Sequence, residues 1–198
     1  FTLKSLETLL RAHGIFVYDL TTSPISGGSI VVYARKTPRT PEPIVDYHRA
    51  QEEREGVNTL AAWKAFAGKS FAHRDALREM LNVHVGRGRT VAGWGASARS
   101  STLLNFCNID ATQIVMIADC NPLKQQRYTA GTHIMIDAPE RVFARAPDVL
   151  VILAWNFAHE IMGALRSTYG FQGRCIVPLP NQPRVETPHA KAYDRDAA

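Results

Sequence analysis

The sequence predicts an α/β fold, a parallel sheet with flanking helices on both faces. Three observations predict it. Runs such as Val149-Leu150-Val151-Ile152-Leu153 are apolar without alternation, the reading of a strand buried on both sides. Those runs alternate with segments of helical period, which is the order of a parallel sheet with crossover helices. A glycine turn, Gly93-Trp94-Gly95, joins one such strand to one such helix.

The elements follow in order. Residues 2–13 predict a helix, with Leu3, Leu6, Leu9 and Leu10 on one face and Gly14 at its C-terminal cap. Ile15 to Leu20 and Ser29 to Ala34 predict strands of an antiparallel hairpin, joined by a turn-rich Thr-Thr-Ser-Pro-Ile-Ser-Gly-Gly segment. One helix and one hairpin bury too little for a core of their own, so they are expected to belong to a larger sheet. A proline-rich connector, Lys36 to Pro43, marks a boundary. Helices are expected at Ile44 to Glu55 and Asn58 to Val83, the second turning Leu60, Trp63, Phe66, Leu77, Met80 and Leu81 toward a core.

From Arg89 onward strands and helices alternate. Strands are expected at 90–93, 113–119, 132–137, 148–155 and 174–179, with helices at 97–106, 139–145 and 158–169. The polar, proline-rich tail from Pro180 is expected to be loosely ordered. This divides the chain into 1–36 (helix and hairpin), 37–85 (connector and helices), 86–182 (sheet domain) and 183–198 (tail).

Composition narrows the function. With 45% hydrophobic and 21% charged residues the chain is neither disordered nor a disulfide scaffold. Its apolar runs are too short to span a bilayer, and no membrane partner is expected. Net charge is +5, and most of the excess lies in residues 35–89. There, acids such as Glu52, Glu53 and Glu55 interleave with the basic residues. That pattern is a solvated helix face, so no nucleic-acid partner is expected, whereas an anionic small molecule fits. Three cysteines without metal spacing point to a reduced, cytoplasmic setting: Cys107 and Cys175 in apolar surroundings, Cys120 at a strand end. No metal site is expected.

The chemistry concentrates at Gly93-Trp94-Gly95-Ala96-Ser97-Ala98. Glycine permits a tight turn, and the following helix offers free N–H groups and a positive dipole end to a phosphate. Arg99 and Thr102 add a cation and a hydroxyl to that end, beside Ser100 and Ser101. Asp119 closes the second strand, where such folds place an acid on a ribose hydroxyl. The alternative for the glycines is close helix–strand packing. Asn121, Trp155 and Asn156 also lie beyond carboxyl ends of strands, where open parallel sheets bind ligands. Trp155 is suited to stack a base or to plug the core, and Asn156 to hold a sugar hydroxyl or to cap a helix. Lys124 reads as solvated. His159 and Glu160 follow Asn156 but show no reacting centre. The domain is therefore Rossmann-like and nucleotide-binding, with no visible catalytic set.

Gly93 to Asn105, then Asp119-Cys120-Asn121-Pro122-Leu123-Lys124 with Ala130-Gly131-Thr132-His133-Ile134, and Pro147 to Asn156 with His159-Glu160-Ile161 form three ordered blocks. Together they resemble the C-terminal domain of S-adenosylmethionine-dependent sugar C-methyltransferases, which methylate a carbon of a nucleotide-linked ketosugar. Phe1 to Leu6 and Gly27 to Tyr33 are similar to the last helix and closing hairpin of that family's methyltransferase domain. The resemblance implies a nucleotide-sugar substrate held by Gly93, Gly95, Ala96, Ser97, Arg99, Thr102, Asp119, Asn121, Trp155 and Asn156, with no catalytic residue in this chain. It also implies that S-adenosylmethionine is bound by the upstream methyltransferase domain of the same parent, and that the piece alone is inactive. Residue 1 is Phe, not Met. On this reading a zinc module, the cofactor loop and a Glu-His pair precede Phe1.

Three positions depart from the family pattern: Arg99 for a common Lys, Ser100 for Gly, and Ser26 for His. They bear on the sugar rather than the class. Two other readings differ in class: a nicotinamide-dependent oxidoreductase domain using Gly93, Gly95, Ala98 and Asp119, and a non-catalytic module whose helices at 44–83 serve assembly.

Overall fold

A computed structural model of the chain describes residues 1–24 and 28–188. The departure at Ser26, the middle of the hairpin turn and the end of the tail, including His189, lie outside the described residues. The chain divides into two compact units, Phe1–Ser70 and Phe71–Ala198.

In the first unit α1 (Leu3–Ala12) opens on a reciprocal cap, Thr2 accepting from the Ser5 N–H while the Ser5 hydroxyl accepts from Thr2 N–H. Gly14 follows it at φ +67°, the left-handed region expected of a capping glycine. Strands β1 (Phe16–Ser23) and β2 (Ser29–Arg35) pair antiparallel, as the turn chemistry predicts. Among the described residues no further strand joins them. The connector leads into α2 (Pro43–Glu55), which starts on a proline that needs no N–H partner. Leu3, Val17, Leu20 and Val45 form a small core. Glu52 ties α2 to the start of α1 by accepting from Leu3 and Lys4 N–H groups, and Arg49 forms a two-pronged ion pair with the nearly buried Glu7.

The long helix α3 (Leu60–Gly86) corrects one expectation. Leu77 and Leu81 are fully buried and Met80 packs against them, whereas Leu60, Trp63 and Phe66 are 71%, 48% and 64% exposed. A helical period identifies a face but not what covers it, and nearly all of residues 60–69 stand uncovered by the described chain.

The second unit is a seven-stranded sheet in the spatial order Arg127–Tyr128, Met135–Asp137, Ile117–Ala118, Val91–Trp94, Val149–Ile152, Arg174–Val177, Arg184–Glu186. Five central strands run parallel: β3 (Val91–Trp94), β4 (Ile117–Ala118), β6 (Met135–Asp137), β7 (Val149–Ile152) and β8 (Arg174–Val177). Alternate residues of each buried strand feed two cores. On one face Val91, Val149 and Val151 meet α3 and α4 (Ala98–Cys107); on the other Ala92, Leu150 and Ile152 meet α5 (Pro139–Phe143) and α6 (Ala158–Ser167). The Rossmann-like α/β reading holds.

The two edges were not anticipated. β5 (Arg127–Tyr128) and β9 (Arg184–Glu186) both pair antiparallel to their neighbours. The supposedly loose tail thus closes the sheet, with Glu186, Val185 and Arg184 opposite Cys175, Ile176 and Val177. The strand expected at 113–119 is regular only over Ile117–Ala118: a tight turn in which Asp110 accepts from Thr112 N–H takes up its start, and Val115 and Met116 bond to β3 through the Val91 carbonyl and the Gly93 N–H without regular strand geometry.

Candidate functional site

β3 ends in a turn built from the glycines. Gly95 adopts φ +92° and donates its N–H to the Ala118 carbonyl at 2.8 Å. A Cβ there would lie 2.8 Å from Ala154 Cβ, and one on Gly93 would lie 2.9 Å from Leu153 Cδ1 and 3.0 Å from Ile117 Cγ1. Both glycines therefore let strands and turns approach closely, the packing role weighed against phosphate approach.

Asp119 braces the same turn. Its Oδ2 accepts from Ala96 N–H at 2.8 Å and from Lys124 Nζ at 3.1 Å, and its Oδ1 accepts from Asn121 N–H at 2.9 Å. Lys124 also donates to the Ala96 carbonyl at 2.8 Å. Lys124 is therefore not a solvated charge, as its sequence context suggested, but a strut between two loops. Asn121 turns its own Oδ1 back to Leu123 N–H at 3.0 Å.

At the head of α4 the Ser97 hydroxyl accepts from Ser100 N–H at 3.1 Å, and the Ser100 hydroxyl accepts from Ser97 N–H at 2.7 Å. Ser100 thus completes a capping box. This gives a physical use for one of the departures from the family pattern. Arg99 is exposed on the first turn, and Thr102 bonds back to the Ala98 carbonyl at 3.4 Å.

β7 is followed by a 3-10 turn, Trp155–Phe157, which leads into α6. Trp155 is half-buried and touches both cores; Asn156 and Phe157 are exposed. Asn156 caps neither helix with its side chain.

Between the β3 and β7 ends lies a crevice of about 290 Å³, lined by Ser97, Ala98, Arg99, Leu153, Ala154, Trp155, Asn156 and Phe157. The chain passes from β3 to β4 on one side of the sheet, whereas β7 lies on the other. The crevice therefore sits at the point where strand order reverses, the place where open α/β sheets hold ligands.

Comparison with known families adds to this geometry. Residues 24–180 match the C-methyltransferase C-terminal domain. The chain belongs to that family. It is also 37% identical over 187 residues to C-methyltransferase NovU of Streptomyces niveus, an alignment covering 93% of this chain and 44% of NovU. The chain thus spans less than half the length of that curated relative.

Within this C-methyltransferase C-terminal domain, the structure brings Ser97, Arg99, Trp155 and Asn156 to one crevice. Gly93, Gly95, Ala96, Asp119 and Asn121 shape the turns behind it, and Thr102 lies further along α4. His159 and Glu160 are exposed on the first turn of α6 and do not line it. Sequence reasoning missed Phe157, whose ring is 59% exposed beside Trp155, and Asn105, whose Nδ2 donates to the Ala130 carbonyl at 3.0 Å beside Gly131. The apolar-to-polar change after β7 could have flagged Phe157; no local signal marks Asn105. Among the described residues no cluster of His, Cys, Asp or Glu could hold a metal, and no helix is long and apolar enough to cross a membrane.

Proposed function

We propose that this chain is the substrate-holding part of an S-adenosylmethionine-dependent C-methyltransferase that acts on a nucleotide-linked ketosugar. The observation that carries the reading is the crevice at the strand-order reversal. It joins the amino end of α4, the Arg99 cation, the Trp155 and Phe157 rings and the Asn156 amide in one place. A helix N-terminus and a guanidinium suit a diphosphate, and an aromatic face suits a base. Family membership and the likeness to a C-methyltransferase support the reaction class.

S-adenosylmethionine supplies the transferable methyl group when bound. The residues of this chain do not fit a ribose-bearing cofactor at the classical acid. Both Asp119 oxygens already accept donors, and its side chain is only 11% exposed. We assign the cofactor to the upstream methyltransferase domain of the parent and no catalytic residue to this piece. Asp119 then acts by positioning Ala96 and the turn. Three unpaired thiols support a cytoplasmic setting.

The test is a titration of the chain with thymidine diphosphate and with NAD, followed by calorimetry and tryptophan fluorescence. Thymidine diphosphate should bind more tightly, and Arg99→Gln or Trp155→Ala should weaken it about tenfold or more. Preference for NAD, or indifference to both substitutions, would overturn the reading. A methyl-transfer assay on the chain alone should give no product.

A further inference from the structure

We propose that Arg87, Arg89 and Arg174, gathered around His84 at the amino ends of β3 and β8, bind a phosphate group. This site lies at the end of the sheet opposite the crevice and does not depend on the function proposed for it.

The grouping follows from register. Val149 pairs with Val91 on one side and with Arg174 on the other, so Arg174 begins the strand two places from β3. Arg89 stands just before β3, and Arg87 just after α3. The chain folds back over the last turn of α3, with Arg87 and Arg89 N–H groups both bonded to the His84 carbonyl at 3.1 and 3.2 Å. Arg89 is half-buried, and its Nη1 lies 3.0 Å from His84 Nδ1. A guanidinium can only donate, so Nδ1 accepts and the imidazole is neutral in this contact. His84 is 4% exposed and holds the Arg89 fork in one orientation, while Arg87 and Arg174 remain exposed.

Several arginines of the chain are neutralised by a carboxylate, and among the described residues these three are not. Arg49 pairs with Glu7, Arg141 with Asp137 and Arg184 with Glu186. Among the described residues none of the three has a carboxylate partner. The neighbouring acid, Asp148, spends Oδ2 on Thr90 N–H at 2.8 Å. The resulting field reaches His84, whose proton affinity is lowered by burial first and then by Arg89, Arg174 and Arg87. Three like charges around a buried ring repel one another, and a multiply charged oxyanion relieves that repulsion while filling the guanidinium forks. The plainer account is that these side chains complement the carboxyl end of the α3 dipole, which needs no ligand.

The experiment titrates the intact chain with inorganic phosphate and, separately, with O-phosphoserine, at constant ionic strength, by calorimetry and by His84 ring resonances in NMR. Saturable binding that moves the His84 resonances is expected. Arg89→Gln and Arg174→Gln should each weaken it about tenfold, Arg89→Lys less, and Arg54→Gln, an exposed arginine of α2, not at all. Which probe binds better distinguishes a free ion from an esterified phosphate, and either result supports the site. Circular dichroism checks that each variant folds; the exposed Arg87→Gln serves if Arg89→Gln does not. No saturation by about 10 mM of either probe, or loss with Arg54→Gln equal to that with Arg89→Gln, would overturn the proposal.

Discussion

The carboxylate of Asp119 and the backbone N–H of Ala96 meet across 2.8 Å, joining the loop after β4 to the turn after β3. The bond fixes the entry to α4 from outside that helix. Lys124 closes the arrangement by bonding both the carboxylate and the Ala96 carbonyl. The wall of the crevice thus depends on an acid that does not line it.

Asp119→Ala removes the acceptor for Ala96, Asn121 and Lys124 together. It should lower stability by about 1–3 kcal/mol, chiefly through the half-buried Ala96 N–H that it strands, since Asn121 is exposed and can turn to water. Asp119→Asn keeps one carbonyl oxygen and should lose less. Urea midpoints of the two variants check this: equal losses would mean that the hydrogen bonds are not what holds the turn.

Gly95→Ala should be more damaging than Gly93→Ala. At Gly95 the new methyl meets the short, fixed Ala154 Cβ at 2.8 Å, and the backbone is at φ +92°. At Gly93 it meets the ends of the Leu153 and Ile117 side chains at 2.9 and 3.0 Å, which can move. The expected costs are about 2–4 kcal/mol against about 1–3 kcal/mol. Thermal unfolding of the two variants checks the order.

This pair also marks what sequence can convey. The succession of β3, α4 and β7 was legible because buried strands and helices carry their own periodicities. The glycine turn was legible because its residue types are restricted by backbone shape. The partners of those glycines were not, since Ala154 and Leu153 arrive from a distant strand. The same holds for β9: Arg184-Val185-Glu186 has no local strand signal and is ordered by the free edge of β8. The exposed Trp63 and Phe66 show the converse, a strong helical pattern without a covering partner among the described residues. Lys124 looked solvated because nothing nearby in sequence announces the Ala96 carbonyl.

Thiol chemistry should single out Cys120. Burial pushes the Cys107 thiol up to about 11 and the Cys175 thiol up to about 12, so neither forms thiolate near neutral pH, and both are fully buried. Cys120 is exposed. A disulfide reagent at pH 8 should modify one thiol rapidly in the native chain and all three in denaturant. Cys120→Ser should abolish the rapid phase; a second fast thiol in the native chain would contradict the burial of the other two.

Acid should weaken the second unit through its histidines. Burial, then the charges of Arg89, Arg174 and Arg87, lower His84 below its ordinary 6.5, and burial does the same for His73. In the unfolded chain both rings take up protons near 6.5; in the folded chain they do so only at lower pH. The unfolded state therefore binds more protons as pH falls through 6.5, and stability declines from there down to the folded values. Stability from these groups is fully present above about pH 7. Urea unfolding, followed by the near-ultraviolet dichroism of buried Trp94, should show a falling midpoint between pH 7 and pH 5. His84→Gln removes one of the two titrations and should flatten that slope even if it lowers stability at pH 7.5. An unchanged slope in His84→Gln would mean that the imidazole is protonated as readily in the folded chain as in the unfolded one.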